Sequence, residues 1–311
     1  MKLGFVFPGQ GAQFVGMGKD LYEKYDEVKK IYKKADEITG LDIEKLTFES
    51  TEEVLSQTKN TQICILVMSL GILEVLKKYG IEAEISAGLS LGEYTALIYS
   101  GIISIEEGIK IVQKRGEFMQ ESVPEGDWSM AAIIGLEDNK VEEACKLAKD
   151  AGFVVPANYN CPGQVAISGE KQAVLKAMEK AKELGARRAI ELKTSGPFHT
   201  EKLNEASKKL SNELKRITIN KEFTKKVIKN IDAQEYTNED DIKEILAKHV
   251  ISPVKFSTSI QNMIEQGVDT FIEIGPGKVL SGFIKKINKE VDIMNIQDVE
   301  GLKKVVEIGE I

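Results

Sequence analysis

Short apolar runs alternate with longer amphipathic stretches along most of the chain. Runs of strand length stand at Leu3–Phe7, Ile85–Ala87, Asp269–Ile274 and Val291–Ile296. Between them, apolar residues recur at helical spacing. Leu21, Val28, Ile31 and Ile38 form a stripe that predicts one solvated amphipathic helix over residues 19–39. A short helix is expected over Thr51–Ser56 and a long buried one over Thr61–Tyr79, stopped at Gly80. Its uncharged stretch, Ile63–Leu73, is too short to span a bilayer. Ser104–Gln120 predicts a further helix, with Ser104 as its cap and Glu107 completing a capping box.

The pattern then changes. Trp128–Ile134 reads as a strand, Asp138–Ala151 as a helix, and Phe153–Asn158 and Gln164–Ser168 as strands joined by the turn Tyr159–Gly163. A helix over Glu170–Leu184 and a strand over Ala189–Lys193 follow. That order, βαββαβ, is the ferredoxin-like arrangement. It predicts a small domain, residues 124–195, inserted into a larger one made of 1–123 and 196–311, with both ends of the insertion near the active cleft. After it, helices are expected over 201–216, Asp240–His249 and Ser257–Gln266, with a strand over Lys226–Ile231. The Asp269–Ile274 strand leads through Gly275-Pro-Gly277 into a helix ending at Ile287, and Val291–Ile296 into a last helix, Val299–Ile308. Strands alternating with helices predict a mainly parallel sheet covered on both faces.

One stretch concentrates the candidate chemistry. Gly88-Leu89-Ser90-Leu91-Gly92 fits G-x-S-x-G between the Ile85–Ala87 run and a helical pattern, Leu91–Ser100, stopped at Gly101. Strand, tight turn and helix make a nucleophile elbow. The hydroxyl then stands at a helix N-terminus, whose unpaired N–H groups suit a developing oxyanion. The glycine-rich loop Pro8–Gly18 lacks the third glycine of G-x-G-x-x-G, where Phe14 stands, and has no Walker lysine. It reads as a loop that brings backbone N–H groups close to an anionic group.

Composition narrows the function classes. The 311 residues are 42% hydrophobic and 29% charged, enough for a sizeable soluble core, with a net charge of −7 that argues against nucleic acid as the main partner. Cys64, Cys145 and Cys161 are too scattered for a metal site or disulfide framework, and a reducing cytoplasm fits. The opening run, Met1–Pro8, is too short for a signal peptide. Only His199 and His249 can supply an imidazole base. His199 lies in a loop beside glycine and proline, a functional setting. His249 ends a predicted helix, where a charge–dipole contact is the simpler reading. No acidic residue between Ser90 and His199 stands in a loop that singles it out, so a backbone carbonyl is an alternative orienting group. Arg115 reads as a surface arginine or as a bidentate partner for a substrate carboxylate. Asn158, Asn160 and Gln164 flank a turn and read as turn residues.

Phe7–Gln13, Gly88–Tyr94, Gln113–Gln120, Asn160–Gln164, Gly196–His199 and Glu273–Lys278 together resemble the malonyl-CoA:acyl-carrier-protein transacylases of dissociated fatty-acid synthesis, over nearly the whole chain. The resemblance implies an α/β-hydrolase-like larger domain beside the ferredoxin-like insertion. It implies Ser90 as nucleophile, His199 as base, backbone N–H groups of Gln10 and Leu91 as the oxyanion hole, Arg115 on the malonyl carboxylate, and Phe198 in the malonyl-selecting loop. It implies no cofactor, only the substrates malonyl-CoA and phosphopantetheinylated acyl carrier protein. A cytoplasmic monomer, without membrane or nucleic acid partners, is expected. Two positions depart from the family: Leu89 where histidine is usual, and His249 where glutamine is usual and orients the base through its carbonyl. The rival readings are a serine thioesterase or esterase, and a non-catalytic carrier-binding protein.

Overall fold

A computed structural model describes residues 1–194 and 196–309. Among them run, in chain order, β1 (Leu3–Phe7), β2 (Ile85–Gly88), β3 (Trp128–Ile134), β4 (Val154–Cys161), β5 (Gln164–Glu170), β6 (Arg188–Leu192), β7 (Lys226–Ile228), β8 (Thr270–Ile274) and β9 (Asp292–Ile296). Five of them make a parallel sheet in the order β7-β2-β1-β8-β9. The other four make a separate antiparallel sheet, β4-β5-β3-β6.

Alternation along each strand splits the core of the parallel sheet in two. Phe5, Phe7, Ile272 and Ile274 face a core that contains Ile63 to Leu73 of the long helix. Val6 and Phe271 face the opposite core, with Phe256, Ile260 and Leu280. Both faces are therefore dry, as a parallel sheet with crossover helices requires. The long helix runs Thr58–Lys78. By length and composition it could cross a membrane, but 89% of its apolar window is buried in the fold.

Several expected elements shift. The 19–39 helix is two helices, Lys19–Lys24 and Asp26–Thr39, because Tyr25 is extended (φ −115°, ψ 120°). A further helix, Ile43–Phe48, is capped by Asp42 accepting the Lys45 N–H. Ser104 caps its helix by accepting the Glu107 N–H; the Glu107 carboxylate reaches back to the Ser104 hydroxyl with Oε2 at 3.4 Å and takes the Thr218 N–H with Oε1 at 2.7 Å. β4 continues through Tyr159–Cys161, expected as turn, because two register irregularities keep it laddered to β5. β7 stops at Ile228 because the Asn230 N–H turns to the Glu93 carboxylate at 3.1 Å.

The antiparallel sheet faces the parallel one across a cleft. Val254 pairs with both Ala157 and Tyr159 of β4 through 2.8 Å backbone bonds. Lys286 Nζ donates to Gln164 Oε1 at 3.1 Å. The segments by which the chain enters and leaves this sheet are neighbours: a Cβ on Gly196 would lie 2.7 Å from the Val123 side chain. Ser195, the expected end of the inserted domain, and residues 310–311 lie outside the described residues.

Candidate active site

β2 ends at Gly88 and a helix begins at Gly92, so three residues make the turn. Ser90 carries it, with φ +53°, a left-handed conformation uncommon outside glycine. The flanking glycines supply close approach. A Cβ on Gly88 would lie 1.9 Å from the Gly92 carbonyl carbon, and one on Gly92 would lie 2.0 Å from the Phe7 carbonyl oxygen. The elbow therefore packs backbone to backbone against itself and β1.

Ser90 Oγ lies 2.8 Å from His199 Nε2. His199 is itself left-handed, with φ +59°, and buried. Its Nδ1 is 3.1 Å from two carbonyl oxygens, of His249 and Ser252. Carbonyls only accept, so Nδ1 carries the proton and Nε2 presents its lone pair to the serine. The orienting group is backbone, as the sequence left open. Burial first, and the Arg115 charge second, hold the His199 imidazole down to about 4. The ring is neutral near pH 7, with its Nε2 lone pair free.

Arg115 is not on the surface. It is 1% exposed on the Ile105–Glu121 helix and reaches Ser90: Nη2 donates to Ser90 Oγ at 3.1 Å. Nη1 donates to Gln62 Oε1 at 2.6 Å, and the guanidinium sits 5.3 Å from the Tyr94 ring. The Ser90 N–H is taken by Asn230 Oδ1 at 2.8 Å, which closes it to an oxyanion. Gln10 and Leu91 line the same cavity, and among the described residues neither backbone N–H has an acceptor. Phe198, buried, lines it too. The cavity holds about 480 Å³. Asn158, Asn160 and Gln164 border it from the antiparallel sheet, so these turn-type residues face the site.

His249 does end its helix, but a charge–dipole contact is ruled out by burial. The ring is fully enclosed, and burial pulls its pKa well below the ordinary value, with the neighbouring His199 imidazole and the Arg115 charge adding to that. It packs 5.3 Å from the His199 ring, with Nδ1 3.5 Å from Glu93 Oε2. Glu93, also enclosed, accepts from the Tyr236 hydroxyl; burial pushes its carboxyl up to about 7 against the hydrogen bonds that favour the anion. Sequence reasoning missed Gln62, Glu93, Asn230 and Tyr236. Gln62 alone carried a signal, an amide among the apolar residues of a buried helix.

Residues 4–307 match the family model described as acyl transferase domain. Over 98% of its length the chain is 44% identical to the malonyl CoA-acyl carrier protein transacylase of Bacillus subtilis (strain 168), covering 96% of that protein. A malonyl CoA-acyl carrier protein transacylase structure from Clostridium perfringens superposes with a TM-score of 0.94 at 48% identity, covering 99% of this chain and 97% of that one. A malonyl-transacylase solved in complex with its type II PKS acyl-carrier protein gives a TM-score of 0.95 at 36% identity, over 99% and 100%. The chain belongs to the acyl transferase domain family, among the malonyl CoA-acyl carrier protein transacylases.

Proposed function

We propose that this protein moves a malonyl group from malonyl-CoA to the phosphopantetheine thiol of acyl carrier protein through an ester on Ser90. One observation carries the reading: Ser90 Oγ sits between the His199 Nε2 lone pair at 2.8 Å and the Arg115 guanidinium at 3.1 Å. A base and a carboxylate-binding cation on one hydroxyl suit a dicarboxylic acyl group.

His199 Nε2 takes the serine proton as Oγ attacks the thioester carbonyl. The oxyanion is held by the Gln10 and Leu91 N–H groups; one such donor is worth about 3–4 kcal/mol in the transition state. The C–S bond breaks, and the imidazolium returns its proton to the departing coenzyme A sulfur. The carrier thiol then gives its proton to His199 and attacks the ester, and Ser90 leaves with that proton. Arg115 holds the free carboxylate throughout, and Phe198 walls the acyl pocket. The steps balance with the two substrates and these residues.

The βαββαβ order and the sheet order β4-β5-β3-β6 support reading residues 124–195 as a ferredoxin-like insertion. The elbow on a parallel strand supports an α/β-hydrolase-like larger domain. The cleft between them would admit the pantetheine arm from either donor or acceptor. We place the enzyme in the cytoplasm as a monomer.

Intact mass after malonyl-CoA addition tests the reading. Wild type should gain one malonyl adduct, lost on adding carrier protein and absent in Ser90→Ala. An undiminished adduct in Ser90→Ala, or release to water as fast as to the carrier thiol, would overturn it.

A further inference from the structure

The nucleophile's strained backbone is held by a side chain 140 residues away. Asn230 Nδ2 donates to the Gly88 carbonyl at 2.7 Å, and Asn230 Oδ1 accepts the Ser90 N–H at 2.8 Å. One amide thus ties the end of β2 to the middle of the elbow. Asn230 is fully buried and follows β7, which pairs with β2, the strand that leads into the elbow. Its own N–H is fixed by Glu93 Oε2 at 3.1 Å, on the helix that leaves the elbow. The loop is closed: strand, serine, helix and Asn230 each hold the next.

We propose that Asn230 is a positioning residue for acyl transfer, clamping Ser90 in its left-handed conformation so that Oγ meets His199. Two consequences follow from its chemistry. Only a side chain with a donor and an acceptor can hold a carbonyl and an N–H at once. By occupying the Ser90 N–H, Asn230 also leaves oxyanion binding to Leu91 and Gln10. The proposal rests on the Ser90–His199 reading above and extends it to a residue that touches neither substrate nor reacting atom.

The test is single-turnover acylation by malonyl-CoA, followed as the Ser90 ester by mass. Asn230→Ala should acylate at least ten-fold slower than wild type, with KM for malonyl-CoA within about three-fold. Asn230→Asp supplies a second readout. Ionised, it accepts from Ser90 but cannot donate to Gly88; protonated, it does both. Glu93, Tyr236, His199, His249 and Arg115 surround the clamp and titrate or carry charge in both proteins, so each rate is divided by wild type at the same pH. That ratio should rise at least five-fold from pH 8 to pH 5. A merely structural asparagine would lower stability without a rising ratio. Asn230→Ala acylating within two-fold of wild type, or a flat ratio for Asn230→Asp, overturns the proposal. If wild-type Ser90 itself takes no ester, the underlying reading falls with it.

Discussion

Arg115 is a buried cation at the wall of the site cavity. Gln62 satisfies one guanidinium nitrogen at 2.6 Å, the Tyr94 ring lies 5.3 Å off, and Nε has no partner among the described residues. Buried charges are normally paired. An incoming malonyl carboxylate would supply the missing anion, whereas an acetyl group would leave the guanidinium desolvated and unmatched. Losing one partner of such a pair costs about 2–5 kcal/mol. Arg115→Ala is therefore expected to lower kcat/KM for malonyl-CoA by about thirty-fold or more, and to lower acetyl transfer much less. Arg115→Lys should not restore malonyl transfer, since an ammonium lacks the planar fork. Steady-state rates with the two thioesters decide it; equal losses would show that the arginine does not read the carboxylate.

At the scale of elements, the elbow depends on backbones that touch. Gly92 has no room for a methyl group, because the Phe7 carbonyl oxygen would lie 2.0 Å from its Cβ and β1 cannot yield without losing its place in the sheet. Gly92→Ala should destabilise the fold by about 3 kcal/mol or more, at or beyond the upper end of overpacking costs. Gly282 is the contrast: helical, exposed, with nothing within 4 Å of an added Cβ. Gly282→Ala should stabilise by about 0.5–1 kcal/mol. Denaturant melts of the pair would show opposite signs, and equal midpoints would refute the packing argument. The same contrast explains what could be read beforehand. Ser90 and its glycines were legible because an elbow is a local pattern, His199 because it is one of two histidines and stands beside glycine and proline, and most strands because apolar runs are local too. Arg115 was ambiguous in its own helix; only the packing of that helix against the Thr58–Lys78 helix buries it beside the serine. Asn230 gave no signal, and Glu93, though inside the Gly88–Tyr94 stretch, no role of its own, since what makes them matter is the pairing of β7 with β2. Tyr25 broke an amphipathic stripe that periodicity alone would carry through.

For the whole molecule, the two histidines set how the fold responds to acid. Both rings are buried and neutral: His199 is held down to about 4 and His249 well below its usual value, chiefly by burial. The unfolded chain takes up protons on both near pH 6.5. Below that pH it binds protons the folded chain refuses, so stability falls with falling pH, at a rate that approaches about 1.4 kcal/mol per pH unit for each ring. For His199 this continues until about pH 4, where the folded ring protonates too. Glu93 works the other way. Its folded carboxyl titrates at about 7 against 4.5 when free, so it removes stability as pH rises across that interval. Between pH 5 and 6.5 two rings oppose one carboxyl, and the rings prevail. His249→Gln leaves one ring against one carboxyl, while the backbone carbonyl that holds His199 Nδ1 stays in place. The variant should therefore gain on wild type by about 1 kcal/mol for each pH unit that the solution is acidified through this window. Urea melts at matched pH values measure the difference directly. Parallel stability curves would mean that the His249 ring takes up its proton inside the folded protein, and that the enclosure in which it packs against Glu93 and His199 opens in solution.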